Sequence, residues 1–177
     1  MKIRYILSGL VVGLLLCISL VIPQALKRVR EAKALGTTYN LKNAISSYFT
    51  EYRKLPVPSK NYRPGFPVDS DPELMTILMP NSESLIYPSG HSPRVINFYA
   101  NKPARAMGSG RFHSGLSPDK TLWDPWGNLY RVQFETDGIE GIEDPSSPGH
   151  IVPETILVWS AGPDGDFATW EDNPKSW

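Results

Sequence analysis

The 177 residues suffice for one domain with an appendage, and 18 acids against 18 bases leave no net charge. That balance is unevenly spread: residues 1–55 hold nine Lys/Arg and two Asp/Glu, a net of +7, while residues 56–177 hold nine and sixteen, a net of −7. An acidic body argues against nucleic acid as a partner, the lone Cys17 excludes an internal disulfide framework, and the 17 prolines, mostly after residue 55, argue against a helical bundle.

Residues 1–4 form a short basic N-terminus or leader with Lys2 and Arg4. From Tyr5 to Leu26 run 22 residues without a charge, and about 20 apolar residues cross a bilayer as a helix. No small-residue cleavage site follows, so the segment 5–26 reads as an uncleaved transmembrane helix rather than a signal peptide. Leu16 stands before Cys17 where a lipoprotein site needs a small residue. Lys2 and Arg4 favour a cytoplasmic N-terminus, although Lys27, Arg28 and Arg30 on the other flank oppose it. The expected topology is single-pass, with the N-terminus cytoplasmic and the C-terminal domain exported. Gly9 and Gly13 form a G-x-x-x-G pair that permits close helix approach.

The helix is expected to continue. No proline interrupts residues 27–55, and Leu41, Ile45, Tyr48, Phe49, Tyr52 and Leu55 recur at offsets of four, seven, eight, eleven and fourteen, which is one helical face. Pro56 ends the pattern. A continuous helix of about 50 residues measures about 75 Å, of which about 30 Å fits in lipid. Pro23 is placed to kink it at the membrane boundary.

Residues 56–120 are rich in Pro, Ser, Gly and Asn and read as a variable, loop-rich region. Within it "ELMTILM" (73–79) predicts a helical turn or two and "RVINFYA" (94–100) a strand. The segment 121–177 is better patterned. "DPWGNLY" (124–130) holds a turn, since Pro125 fixes φ and Gly127-Asn128 tolerate positive φ. "LYRVQFE" (129–135) alternates as a strand, and "TILVWS" (155–160) is apolar enough for a central one. Two strands laid on the amphipathic helix make an α+β fold: a long helix, half transmembrane and half amphipathic, packed on a small antiparallel sheet.

The chain closes on "SAGPDGDFATWEDNPKSW" (160–177), where Asp164, Asp166, Glu171 and Asp172 crowd together and Lys175 is the one nearby basic side chain. Ca²⁺ takes six to eight oxygens, mixing carboxylates with carbonyls, and a loop bent by Gly162, Pro163 and Gly165 can aim several at one point. The pattern is not an EF-hand, which requires a central glycine and a twelfth-position glutamate. A solvated acidic tail without metal is the alternative. His91, His113 and His150 lie in Pro/Gly/Ser surroundings without nucleophile or zinc spacing, so no enzyme is expected.

Taken together, the hydrophobic helix ending in "LKNAISSYFTEYRKLP", the "DPWGNLY" turn, "TILVWSAGPDG" and the terminal "EDNPKSW" resemble the major pseudopilin of bacterial type II secretion. The resemblance covers residues 5–56 in layout and 121–177 in motif, and implies a pilin-like fold. Where that family carries Gly then Phe-Thr-Leu-Ile-Glu for leader processing and subunit register, this chain has Gly9, Leu10, Gly13 and Leu14, with no acid before Glu31. The resemblance further implies calcium held by Asp164, Glu171 and Asp172 with the Ala161 carbonyl, Asp166 being an added candidate. Implied partners are identical or related pilin-like subunits, the inner membrane and other secretion-system components. A membrane-tethered ligand- or protein-binding module that forms no filament is the other reading.

Overall fold

The computed structural model describes residues 2–58, 62–80, 96–107, 111–135, 138 and 140–177, and of residues 2–20, 107 and 111 it describes the backbone alone. The architecture is mixed α+β: one long helix on small antiparallel sheets. Helix α1 spans Lys2–Tyr52 and runs through Pro23 without ending there. Among the described residues no helix is long and apolar enough to cross a membrane; most of the predicted 5–26 span, with Gly9, Leu10, Gly13 and Leu14, lies outside the described side chains.

The predicted face of α1 is largely the buried one. Leu41, Ile45 and Tyr48 are fully buried, joined by the smaller Ala34, Thr37, Thr38 and Ala44. Phe49 is a correction: it is 43% exposed, because it lies about 100° around the helix from Tyr48, outside the contact stripe. The helix also ends earlier than Leu55. Arg53 takes φ 52°, a left-handed C-terminal cap, and its N–H donates to the Phe49 carbonyl at 2.8 Å. Tyr52 and Leu55 remain packed against the core.

Gly36 lies inside α1, and a Cβ built there meets nothing within 4 Å. Alanine therefore fits without strain and costs less conformational entropy on folding. Gly36→Ala is expected to stabilise the domain by about 0.5–1 kcal/mol, raising the unfolding midpoint by about 1–4 °C. A thermal melt of residues 27–177, a fragment that keeps every described core residue, checks this; a lower midpoint would refute it.

The loop-rich region contains short elements. β1 is Val68–Asp69. α2, Pro72–Leu78, is the predicted short helix; Asp71 caps it, Oδ1 accepting from the Glu73 and Leu74 N–H groups at 2.9 and 3.0 Å. Its Leu74, Met75, Ile77 and Leu78 are buried. The strand expected at 94–100 is absent from its described part. Of it, residues 96–100 are described and belong to no sheet; Phe98 N–H donates to the Leu78 carbonyl at 2.9 Å and its ring sits 5.4 Å from that of Tyr48. β2 (Arg105–Met107) and β3 (Arg111–His113) form a hairpin, as do β4 (Gly115–Leu116) and β5 (Leu122–Trp123).

The main sheet joins β1, β6 (Tyr130–Phe134) and β9 (Ile156–Ser160), all antiparallel, with β6 in the centre. Tyr130 faces Ser160 and Phe134 faces Ile156 in the register. β9 was expected in the centre; it is the outer strand of the three, yet all five residues are buried. Its free edge is taken by the chain end, where Ser160 N–H donates to Pro174 O and Ser176 N–H to Val158 O, both at 3.0 Å. Alternation does the rest. Ile156 and Val158 join the core under α1, while Leu157 and Trp159 join a second core on the other face with Ile142 and Val152. Those two residues belong to β7 (Ile142–Glu143) and β8 (Ile151–Val152), a further hairpin. Lys42 of α1 pairs with Glu154 at 3.0 Å, tying the helix to the β8–β9 connection.

Candidate functional site

Two turns meet at the end of the main sheet. In the first, Asp124 is fully buried and its carboxylate accepts four hydrogen bonds: from Trp126 and Asn128 N–H at 2.8 Å each, from Asn128 Nδ2 at 3.2 Å and from Ser160 Oγ at 2.6 Å. Burial pushes its pKa up from the ordinary carboxylate value, and the donated hydrogen bonds oppose that rise. Ser160 Oγ in turn accepts from Gly162 N–H at 3.1 Å, and Asn128 Nδ2 donates to the Gly162 carbonyl at 3.0 Å. The DPWG turn and the SAG turn are thus one network, although 36 residues separate Asp124 from Ser160.

The acidic loop continues from Gly162. Asp164 closes its own turn, accepting from Asp166 N–H at 2.9 Å and from Thr169 Oγ1 at 2.6 Å. The Thr169 hydroxyl, then the Asp166 N–H, hold its carboxyl below the usual range. Asp166 accepts from Ala168 N–H at 2.9 Å, and its carbonyl accepts from Asn173 Nδ2 at 3.1 Å. Glu171 is exposed and makes no hydrogen bond among the described residues.

Asp172 and Asn173 differ from these. Among the described residues Asp172 Oδ1 and Asn173 Oδ1 are buried acceptors without a donor, and such atoms cost about 1–3 kcal/mol each unless something pairs with them. Both residues press on Gly162, whose φ is 65°. A Cβ there would stand 2.7 Å from the Asp172 carbonyl and 2.8 Å from Asn173 Oδ1, so the position takes only glycine. Ala161 is buried beside it.

Against the predicted metal set, the structure places Asp172 next to unsatisfied oxygen, engages Asp164 and Asp166 in their own turns, and leaves Glu171 in solvent. Among the described residues no three His, Cys, Asp or Glu side chains converge. A hard cation would depend on amide and carbonyl oxygen as much as on carboxylate. The unpartnered oxygens of Asp172 and Asn173 fit that chemistry. Sequence reasoning passed over Asn173; its signal was an amide directly after two acids.

Beneath the loop lies an aromatic cluster. Trp159, Trp170 and Trp177 have ring centroids 5.8–6.2 Å apart, and Phe167 packs with them. Arg131 lies 3.7 Å over the Phe167 ring and 3.6 Å from Asp69. Among the described residues the Trp177 indole N–H finds no partner in full hydrogen-bond geometry; burial pushes the nearby Asp144 carboxyl up, but the Ser146 hydroxyl and N–H, with a smaller contribution from Trp177, hold it below the usual range. Of the histidines, His113 ends β3, His150 Nδ1 lies 3.6 Å from Asp144, and His91 lies outside the described residues. No protein family, no curated protein and no solved structure matches the chain.

Proposed function

We propose that this chain is a pilin-like structural subunit of a type II secretion or type IV pilus-like filament. The 5–26 segment of α1 anchors it in the inner membrane and packs against related subunits, and the C-terminal loop is stabilised by calcium. The role is mechanical rather than catalytic. The observation that carries the reading is the network joining Asp124, Ser160 and Gly162, beside which Asp172 and Asn173 keep unpartnered buried oxygens. These residues lie in the DPWG, SAGPDG and EDNPKSW motifs on which the resemblance rests.

Bound calcium supplies the positive charge that the loop lacks. Asp172 and Asn173 would hold it, together with the Ala161 carbonyl and Asp164. Asp166 and Glu171 complete the candidate set. Loop residues Phe167, Trp170 and Trp177 then stay closed over Trp159, a fastening for a domain that has no disulfide.

The second reading, an anchored binding module outside any filament, has one observation in its favour. An open groove of ≈ 440 Å³ runs between α1 and residues 96–98, lined by Asn43, Ser47, Thr50 and Phe98 among others.

Thermal unfolding of residues 27–177 in chelator and then in calcium tests the first reading. Calcium at about 100 times Kd adds about 2.7 kcal/mol, which is about 5–10 °C in midpoint for a chain of this size. The rise is expected with calcium, not with magnesium, and is expected to vanish in Asp172→Ala. No shift removes calcium from the proposal. A full chain that stays monomeric in detergent removes the filament and leaves the binding module.

A further inference from the structure

Six cations gather where α1 leaves the domain. Lys27, Arg28, Arg30 and Lys33 lie within two turns of the helix, all exposed. Two more come from the β2 region. Lys33 Nζ donates to the Ser114 carbonyl at 3.1 Å, and Ser114 adjoins His113, the residue paired with Arg105 across the β2–β3 hairpin. The Lys102 carbonyl accepts from Leu116 N–H at 3.1 Å, and a Cβ on Gly115 would stand 2.3 Å from that oxygen. The backbone therefore fixes Lys102 and Arg105 alongside Lys33. Their charges lower the Lys33 pKa, after the larger effect of its partial burial.

Among the described residues, Glu31 offsets one charge of this cluster and leaves the rest uncompensated. Glu31 is engaged by Lys27 at 3.7 Å, and among the described residues Lys33, Lys102 and Arg105 form no ion pair. Like charges held together on rigid backbone repel one another unless an anion meets them. Large uncovered apolar side chains lead into the cations: Ile22, Leu26 and Val29 are 51–64% exposed, and Val29 lies between Arg28 and Arg30. An exposed apolar stretch that runs into basic residues in this way suits a lipid–water boundary, where stems lie in the apolar layer and charged heads reach the surface.

Helix length sets the distance. Lys33 stands seven residues beyond Leu26, about 10 Å along the axis. That is about one Debye length at moderate salt, and the headgroup layer on one side of a bilayer fills about 5–8 Å of it.

We infer that Lys27, Arg28, Arg30 and Lys33, together with Lys102 and Arg105, form a docking surface for the headgroups of anionic phospholipids. It seats the domain on the bilayer that its own helix enters. The inference rests on the membrane-anchor reading of residues 5–26, but not on calcium or on filament assembly.

The test uses the full chain in nanodiscs of phosphatidylcholine alone and of phosphatidylcholine mixed with phosphatidylglycerol, and reads amide hydrogen exchange at residues 102–106 and 113–116. Each cation at an anionic surface contributes about fivefold, so exchange is expected to slow by about 5- to 20-fold with phosphatidylglycerol and to recover at high salt. Lys102→Gln with Arg105→Gln, both at exposed positions, removes the difference while the chain stays in the disc. Equal exchange in the two lipids overturns the inference. Inorganic phosphate reproducing the slowing in phosphatidylcholine discs assigns the cluster to a free anion and also overturns it. So does slowing that tracks copies per disc, which assigns it to an acidic surface of a second copy. A chain that enters neither disc defeats the anchor reading and this inference together.

Discussion

Trp159→Ala is expected to lower the unfolding midpoint of the 27–177 fragment by about 6–20 °C. The indole is 2% exposed. It meets Trp177 edge-on at 5.8 Å and Trp170 at 6.1 Å, and Ile142, Val152 and Leu157 complete its surroundings. Truncating a buried aromatic costs about 3–5 kcal/mol in lost burial and residual cavity, at about 2–4 °C per kcal/mol for a chain of this length. The loss falls on one side of the sheet. Phe167, Trp170 and Trp177 belong to the C-terminal segment, so that segment loses the surface that holds it to β9. Among the described residues the Trp159 indole N–H has no acceptor, so no hydrogen bond with them is forfeited. Trp159→Phe should for that reason cost under about 1.5 kcal/mol, since it keeps a ring in place. Calorimetry of both variants in chelator separates the terms. A shift below about 2 °C for Trp159→Ala would mean that the cluster does not fasten the segment.

The same strand shows what was legible in the sequence. The uninterrupted apolar run at 156–159 announced a strand buried on both faces, and it is one. Its place in the sheet was hidden, because its outer neighbour is the polar stretch 174–176 of the chain end, which carries no strand pattern of its own. Periodicity likewise found Leu41, Ile45 and Tyr48 on α1, but it also admitted Phe49 and overlooked Thr37, Thr38 and Ala44. Hydrophobicity ranks side chains, whereas the helix buries whatever its contact stripe presents, small and hydroxylic residues included. At 96–100 the chain does reach the core, since Tyr99 is buried. The strand assignment failed because β-propensity cannot report whether a partner strand lies within hydrogen-bonding distance.

The candidate site divides in a similar way. The acids and glycines around Gly162 were readable as a tight, oxygen-rich turn. Which oxygens stay free was not readable, because Asp164 accepts from Asp166 N–H and the Thr169 hydroxyl and Asp166 from Ala168 N–H, while among the described residues Asp172 Oδ1 and Asn173 Oδ1 meet no donor. Asp124 read only as a turn residue. Its role as a hub depends on Ser160, which only the antiparallel register of β6 and β9 brings to it.

That hub yields the second large effect: Asp124→Ala is expected to destabilise the domain by about 3–5 kcal/mol. Two backbone N–H groups, the Asn128 amide and the Ser160 hydroxyl lose their acceptor together. Each buried group left without a partner costs about 1–3 kcal/mol, and water reaches some of them because Trp126 and Asn128 are half-buried. Asp124→Asn keeps an acceptor for the two backbone groups, so about 1–2 kcal/mol is expected for it. The asparagine variant also isolates a pH effect. Burial raises the Asp124 pKa above that of the unfolded chain, so the folded state binds this proton more tightly. The group's contribution therefore declines as pH rises from the ordinary carboxylate value through the raised one, and Asp124→Asn flattens that part of the stability–pH curve. Ser160→Ala combined with Asp124→Ala should cost less than the sum of the two, by about 0.5–3 kcal/mol of coupling, because either change alone already breaks the 2.6 Å bond. Strict additivity in denaturant titrations would show that the two turns are held independently, and the network would then lose its role as the support for the Gly162 site.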